Sequence, residues 1–176
     1  MKLLYFFIGI AVIFSCKSKS AATQAEIDAL HTIVKKQTFR IESDWAYPQT
    51  TSAVQQVLNS GLMQPGSTSG AISLIGNHNF LTISKDSVTS FLPYFGERQM
   101  QVAYNGGDNA IEFNGVLKDY KAVYNEDSYS ISFQAKSNSE NFQVFIKLYP
   151  NLRTQMTLNG NSRLSIRYSG HLESIE

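Results

Sequence analysis

The stretch SYSISFQAKSNSENFQVFIKLYP, residues 128–150, decides the fold. Tyr129, Ile131, Phe133 and Ala135 alternate with Ser130, Ser132, Gln134 and Lys136. After the turn cluster Asn138-Ser139-Glu140, Phe142, Val144, Ile146 and Leu148 alternate with Gln143, Phe145, Lys147 and Tyr149. A period of two puts successive side chains on opposite faces of a strand, so each segment has one apolar and one more polar face. That pattern marks antiparallel strands with one face buried and one in water.

The same signal recurs on both sides of this stretch. Downstream, Leu164, Ile166, Tyr168 and Leu172 alternate with Ser165, Arg167, Ser169 and His171. Upstream, Phe39, Ile41, Trp45 and Tyr47 alternate with Arg40, Glu42, Asp44 and Ala46, with Ser43 interrupting the apolar side. Asn79 to Leu92, NFLTISKDSVTSFL, has the form of a hairpin turning at Lys85-Asp86. The connections Asn125-Glu126-Asp127-Ser128, Asn138-Ser139-Glu140 and Asn159-Gly160-Asn161 are too short for parallel crossovers, so strands adjacent in sequence are expected to pair. About eight such strands in up-and-down order close into a small barrel, which removes the exposed edges of an open meander.

Two segments depart from the strand pattern. In TQAEIDALHTIVKKQ, residues 23–37, Ile27, Leu30 and Val34 fall on one helical face with Ile33 beside them. Thr23 with Glu26 fits a capping box, and Lys35 and Lys36 suit the negative end of the helix dipole. This single N-terminal α-helix is expected to cover one mouth of the barrel or to pack on its side. Thr50 to Ser69 is irregular: TSAVQQVLNSG suggests a short helical turn and MQPGSTSG a loop.

The chain opens MKLLYFFIGIAVIFSC, with Lys2 followed by an apolar run from Leu3 to Phe14. The run is shorter than the roughly 20 residues needed to span a bilayer and reads as a secretory signal. Its end, Ile13-Phe14-Ser15-Cys16, resembles a bacterial lipobox, in which the cysteine is lipidated and becomes the new N-terminus. The expected division is a signal peptide over 1–15, lipidated Cys16 with a flexible tether over 16–23, and one β-barrel domain over 24–176. Because Cys16 is the only cysteine, no internal disulfide is available. In Bacteroidetes, lipoproteins sent to the outer face tend to carry acids just after the cysteine. Lys17 and Lys19 therefore place this chain, by that resemblance, in the cell envelope on the periplasmic side of the outer membrane.

Composition narrows the function classes. Lys and Arg number 15 against 14 Asp and Glu, and no basic stripe stands out, which argues against nucleic acid as a partner. His31, His78 and His171 lie far apart, and none has a partner His, Cys or Asp at metal-ligand spacing, so no metal site is expected. Gly66-Ser67-Thr68-Ser69-Gly70 has its serines at the wrong offsets for a nucleophile elbow. Glu97, Asp108, Glu112 and Asp119 read as scattered surface acids, and no phosphate-cradling glycine loop is present. No cofactor is expected and no catalytic constellation emerges.

Asp86-Ser87-Val88-Thr89-Ser90-Phe91-Leu92-Pro93-Tyr94-Phe95-Gly96, then Tyr104-Asn105-Gly106-Gly107, Ile111-Glu112-Phe113 and Tyr120, form a more specific set. Together they resemble an uncharacterised family of Bacteroidetes lipoproteins, known as a domain of unknown function (DUF4251), from about Val34 to Leu172. The resemblance implies a lipocalin-like β-barrel in an envelope lipoprotein, and no reaction.

Pro93 ends a strand and Gly96 permits a turn, which puts Tyr94 and Phe95 near a barrel rim. Tyr104 would flank the same mouth. Tyr129, Phe133, Phe142 and Tyr168 belong to the inward set, together with Ile146, Met156, Leu158 and Ile166. Small barrels either fill with side chains or hold one ligand. The leading expectation is a non-catalytic binding module for a small apolar or amphipathic ligand, attached to the membrane through acyl chains on Cys16. The alternative is a structural or interaction lipoprotein with a filled barrel that meets an envelope protein partner.

Overall fold

The structure, a computed structural model, describes residues 22–60, 65–68, 70–97, 110–137 and 140–175. The signal, Cys16, Tyr104 and Gly106-Gly107 lie outside these residues. Helix α1, Gln24–Lys36, is followed by β1, Thr38–Pro48, and by helix α2, Ser52–Asn59. Then come β2 (Ile72–Ser73), β3 (Phe80–Ser84), β4 (Ser87–Pro93), β5 (Ala110–Val116), β6 (Lys118–Asn125), β7 (Ser128–Lys136), β8 (Asn141–Leu148), β9 (Arg153–Gly160) and β10 (Ile166–Ser174).

The strands pair in the order β5-β4-β3-β1-β10-β9-β8-β7-β6, with the short β2 added to β1. Every pairing is antiparallel. Direction therefore alternates along the order, and its two ends, β5 and β6, run the same way. Only Leu117 separates them in sequence. They form one bent strand whose first half pairs with β4 and whose second half pairs with β7. Ten strand segments thus make eight staves, β2 being an addition to the wall, and the barrel is nearly closed. The bend has a local cause. Between Lys118 and Lys121 the register against β7 slips, and Asp119 takes the left-handed conformation at φ 53°. An extra residue of this kind bends and twists its strand.

A second bulge shapes β1. The register against β10 shifts between Ser43 and Trp45, leaving Asp44 as the extra residue. Beyond it the two faces exchange: Ala46 and Pro48 are buried, while Trp45 and Tyr47 are partly exposed. This corrects the simple alternation, which put Trp45 and Tyr47 on the apolar side with Phe39 and Ile41. Where β1 bulges, β10 comes very close. A Cβ on Gly170 would collide with the carbonyl oxygen of Glu42 and lie 2.6 Å from Ser43 Cα. On the other side, the buried Asn79 side chain accepts a hydrogen bond from Ser43 N at 2.8 Å. It also donates one to Ser43 O at 3.0 Å, acting as a substitute strand partner.

Helix α1 begins as its sequence dictates. Thr23 N donates to Glu26 Oε2 at 2.8 Å, Thr23 Oγ1 accepts from Glu26 N at 3.3 Å, and Lys35 and Lys36 occupy the last turn. The helix ends at Gln37 in the left-handed region, φ 49°. Its C-terminus adjoins β1, yet His31 contacts Tyr124 on β6 and Tyr129 on β7, across the ring of staves from β1. The helix therefore crosses the mouth at which β1 starts, and Leu30 and Val34 are buried there. We call this the lower mouth.

Gly170→Ala is expected to lower stability by about 3 kcal/mol, because backbone rather than a flexible side chain must yield. Asn79→Ala should cost about 1–3 kcal/mol by orphaning two buried backbone groups. Asp119→Gly should change stability by less than about 1 kcal/mol, since glycine takes the left-handed conformation freely. Urea denaturation midpoints of the three variants check this ranking.

Candidate functional site

The inward face of the barrel is a packed core. Phe133 and Tyr168 are 0 % exposed, Phe142 is 2 % exposed, and Ile41, Ile83, Val144 and Leu158 are buried among them. Side chains with no accessible surface border no space that water can enter. The Tyr168 hydroxyl reaches from β10 to donate to the carbonyl of Pro93, at the end of β4, at 2.8 Å. Burial pushes the Tyr168 hydroxyl well above the ordinary tyrosine range.

The upper mouth is closed by a charged cluster that the sequence reading missed. Arg163, between β9 and β10, donates from Nε to Glu140 Oε2 at 2.9 Å, with side chains 4 % and 2 % exposed. Nη1 of Arg163 donates to Ala110 O at 3.2 Å, and Glu140 Oε1 accepts from Ser162 N at 2.9 Å. The guanidinium lies 5.1 Å from the Tyr94 ring centroid and 6.0 Å from that of Phe142. Tyr94, expected at a rim, is there, its hydroxyl 3.0 Å from the carbonyl oxygens of both Glu97 and Leu164. It and Phe95 pack partly buried against the core.

At the lower mouth, under α1, His31 Nδ1 and the Tyr129 hydroxyl are hydrogen-bonded at 2.6 Å. The Tyr124 and Tyr129 rings stand 5.2 Å apart. The buried hydroxyls of Tyr120 and Tyr124 have no hydrogen-bond partner among the described residues. Burial, with Tyr129 adding to it, pushes the Tyr120 hydroxyl from 10.0 up to about 12. Of the expected contact residues, Tyr129 joins this nook, Phe133, Phe142 and Tyr168 are core, and Tyr94 and Phe95 belong to the opposite mouth.

The outer wall carries a groove of about 460 Å³. Its physical basis is the run of small residues on β7: Ser130 and Ser132 lie between Lys121 and Val123 on β6 and Phe145 and Lys147 on β8. The row continues from Phe145 through Thr157 to Arg167 and Tyr47, where the Arg167 guanidinium stacks 5.1 Å from the ring centroid. Val123 is 53 % and Phe145 46 % exposed. Lower on the wall, strand pairing sets Glu42 opposite His171, so Glu42 comes together with His171 and with Glu173, two residues further along the same strand, their ligand atoms within 4.8 Å. His171 lies 3.4 Å from Asp44 and Glu173 3.9 Å from Arg40.

The chain belongs to the family described as Domain of unknown function (DUF4251), whose sequence profile matches residues 21–172. It is similar to a crystal structure of a DUF4251 family protein from Bacteroides eggerthii DSM 20697, with 17 % identity and a TM-score of 0.56. That match covers 85 % of this chain and 88 % of the other. No curated protein matches the sequence.

Glu140→Leu should destabilise by about 3–5 kcal/mol by leaving Arg163 buried and unpaired, whereas Glu140→Leu with Arg163→Met should recover most of that loss. A double-mutant cycle in urea measures it. Tyr120 is held protonated by the fold and is ordinary when unfolded. Its contribution to stability is therefore complete below pH 10.0 and is lost as pH rises through about 12. Denaturation midpoints should be level up to pH 10 and fall beyond it, less steeply in Tyr120→Phe.

Proposed function

We propose that this chain is a non-catalytic lipoprotein of the bacterial cell envelope, anchored by acyl chains on Cys16 at the periplasmic side of the outer membrane, and that it acts through the outside of its barrel. The observation that carries this is the solid interior: the inward aromatics Phe133, Phe142 and Tyr168 are 0–2 % exposed. An eight-stave barrel is just wide enough for side chains to fill, and this one spends its width on them. Arg163 and Glu140, the titratable pair buried at the upper mouth, are hydrogen-bonded to each other and to the backbone of their own fold. The groove floored by Ser130 and Ser132, with Phe145 and Val123 exposed beside it, supplies the contact surface instead.

A second reading keeps a small amphipathic ligand, seated at the lower mouth rather than in the lumen. It rests on the Tyr120 and Tyr124 hydroxyls, two buried donors that no atom of the described residues satisfies.

Native mass spectrometry of residues 22–176, which hold every described element, separates the two. The first reading expects the bare chain mass after gentle purification from a bacterial periplasm. A stoichiometric adduct, lost when Tyr120 and Tyr124 are replaced by Phe, would contradict it and establish the second.

A further inference from the structure

We infer that the outer wall of β6–β10 docks on the anionic headgroup surface of the membrane that carries the protein's own anchor; the inference rests on the lipoprotein reading of Cys16. Charge sign is the first support. Lys121, Lys147 and Arg167 line the groove, and Lys136 and Arg153 extend the same wall. β7, β8 and β9 contain no Asp or Glu at all, although the whole chain is nearly neutral. Asp119 on the bulge of β6, Glu126 and Asp127 on the turn after it, and Glu173 near the end of β10 are acids of the flanking strands, and none of them lines the groove.

The second support is the mixture of chemistry. Phe145 and Val123 are about half exposed among those cations. An aromatic ring flanked by lysine and arginine suits the boundary between headgroups and acyl chains. On β7, β8 and β9 the other outward residues are Ser, Thr, Gln and Asn, and the remaining apolar residues point inward. That is the inverse of a barrel that spans a bilayer, so the wall lies on the membrane and does not cross it.

The third support is where the chain leaves the barrel. Helix α1 crosses the lower mouth from β1 to β6 and β7, so its N-terminal end at Thr23 emerges on the β6–β7 side. Cys16 lies seven residues before Thr23, a reach of at most roughly 25 Å. An acylated Cys16 can therefore bring this wall to the bilayer within the length of its tether. Anionic leaflets attract each nearby Lys or Arg enough to change partitioning about fivefold.

Residues 22–176, without the anchor, are mixed with phosphatidylethanolamine vesicles made with and without phosphatidylglycerol, and binding is read by co-sedimentation. Binding should require phosphatidylglycerol and weaken with salt. Lys147→Glu should lower it at least fivefold, because a charge is both lost and reversed, and Phe145→Ser should also lower it. Lys85→Glu, on the β3–β4 turn, should change it by less than about twofold. Equal effects of Lys147→Glu and Lys85→Glu, or no binding, would overturn the inference. So would retention by an acidic polyglutamate matrix in place of vesicles, which would assign the wall to an acidic protein. Acylation is read separately, as the mass of the mature N-terminus from cells. Vesicle binding by a chain whose Cys16 carries no acyl group supports the docking surface and removes the anchor. An acylated chain whose domain ignores vesicles removes the docking surface and leaves the anchor.

Discussion

Everything else in this barrel depends on the contact between its first and last strands. β1 and β10 are separated by more than a hundred residues, yet they pair along almost their full length. Their closest approach is at Gly170, where the absence of a side chain lets the Glu42–Ser43 backbone press against β10. Asn79 holds the other side of the same bulge. Without this seam the remaining strands would be an open meander with two unpaired edges, a form that invites aggregation. With it, the single bent strand of β5 and β6 completes a ring of eight staves. An even number permits antiparallel pairing all round.

Closure at eight staves fixes the interior. The lumen accepts one set of large side chains, and Phe133, Phe142 and Tyr168 take that space. Each end then needs its own solution. At the lower mouth a helix lays down Leu30 and Val34; at the upper mouth Arg163 and Glu140 neutralise each other beneath Tyr94. A buried ion pair is a poor source of stability compared with apolar residues of the same volume. Its effect here is to tie the β7–β8 turn, the β9–β10 turn and the start of β5 into one arrangement. With the inside occupied, the described residues offer the outer wall and the tyrosine nook under α1 as surfaces for contact.

Much of this was legible in the sequence, for local reasons. Alternation in β7, β8 and β10 depends on neighbours two residues away, and the capping box of α1 on neighbours three away. The hairpin turning at Lys85 was visible for the same reason. What alternation could not show was any event that changes register. Trp45 and Tyr47 read as core, but the extra residue Asp44 turns them outward and makes them part of the wall. Asp119 likewise bends one strand into β5 and β6, so a reading of about eight strands and a structure of ten segments describe the same ring. The sites were less legible than the fold. Glu140 read as a turn residue, and only the meeting of two turns gives it Arg163. The groove exists because two serines on β7 stand between longer side chains on strands that pair only in the folded chain. His171 gains Glu42 by the same cross-strand route, beside Glu173 on its own strand.

The barrel is nearly closed, and β1 and β10 hold it as firmly as any other pair of staves. Native-state amide hydrogen exchange measured by NMR tests this most directly. If the account holds, the amides of Ile41 and Tyr168 exchange only through global unfolding, with the same free energy as those of Ile131 and Ile146 in β7 and β8. If Ile41 and Tyr168 exchange by a local opening of much lower free energy while β7 and β8 stay protected, the seam is not closed. The protein would then be an open sheet, and the filled-barrel account would fail.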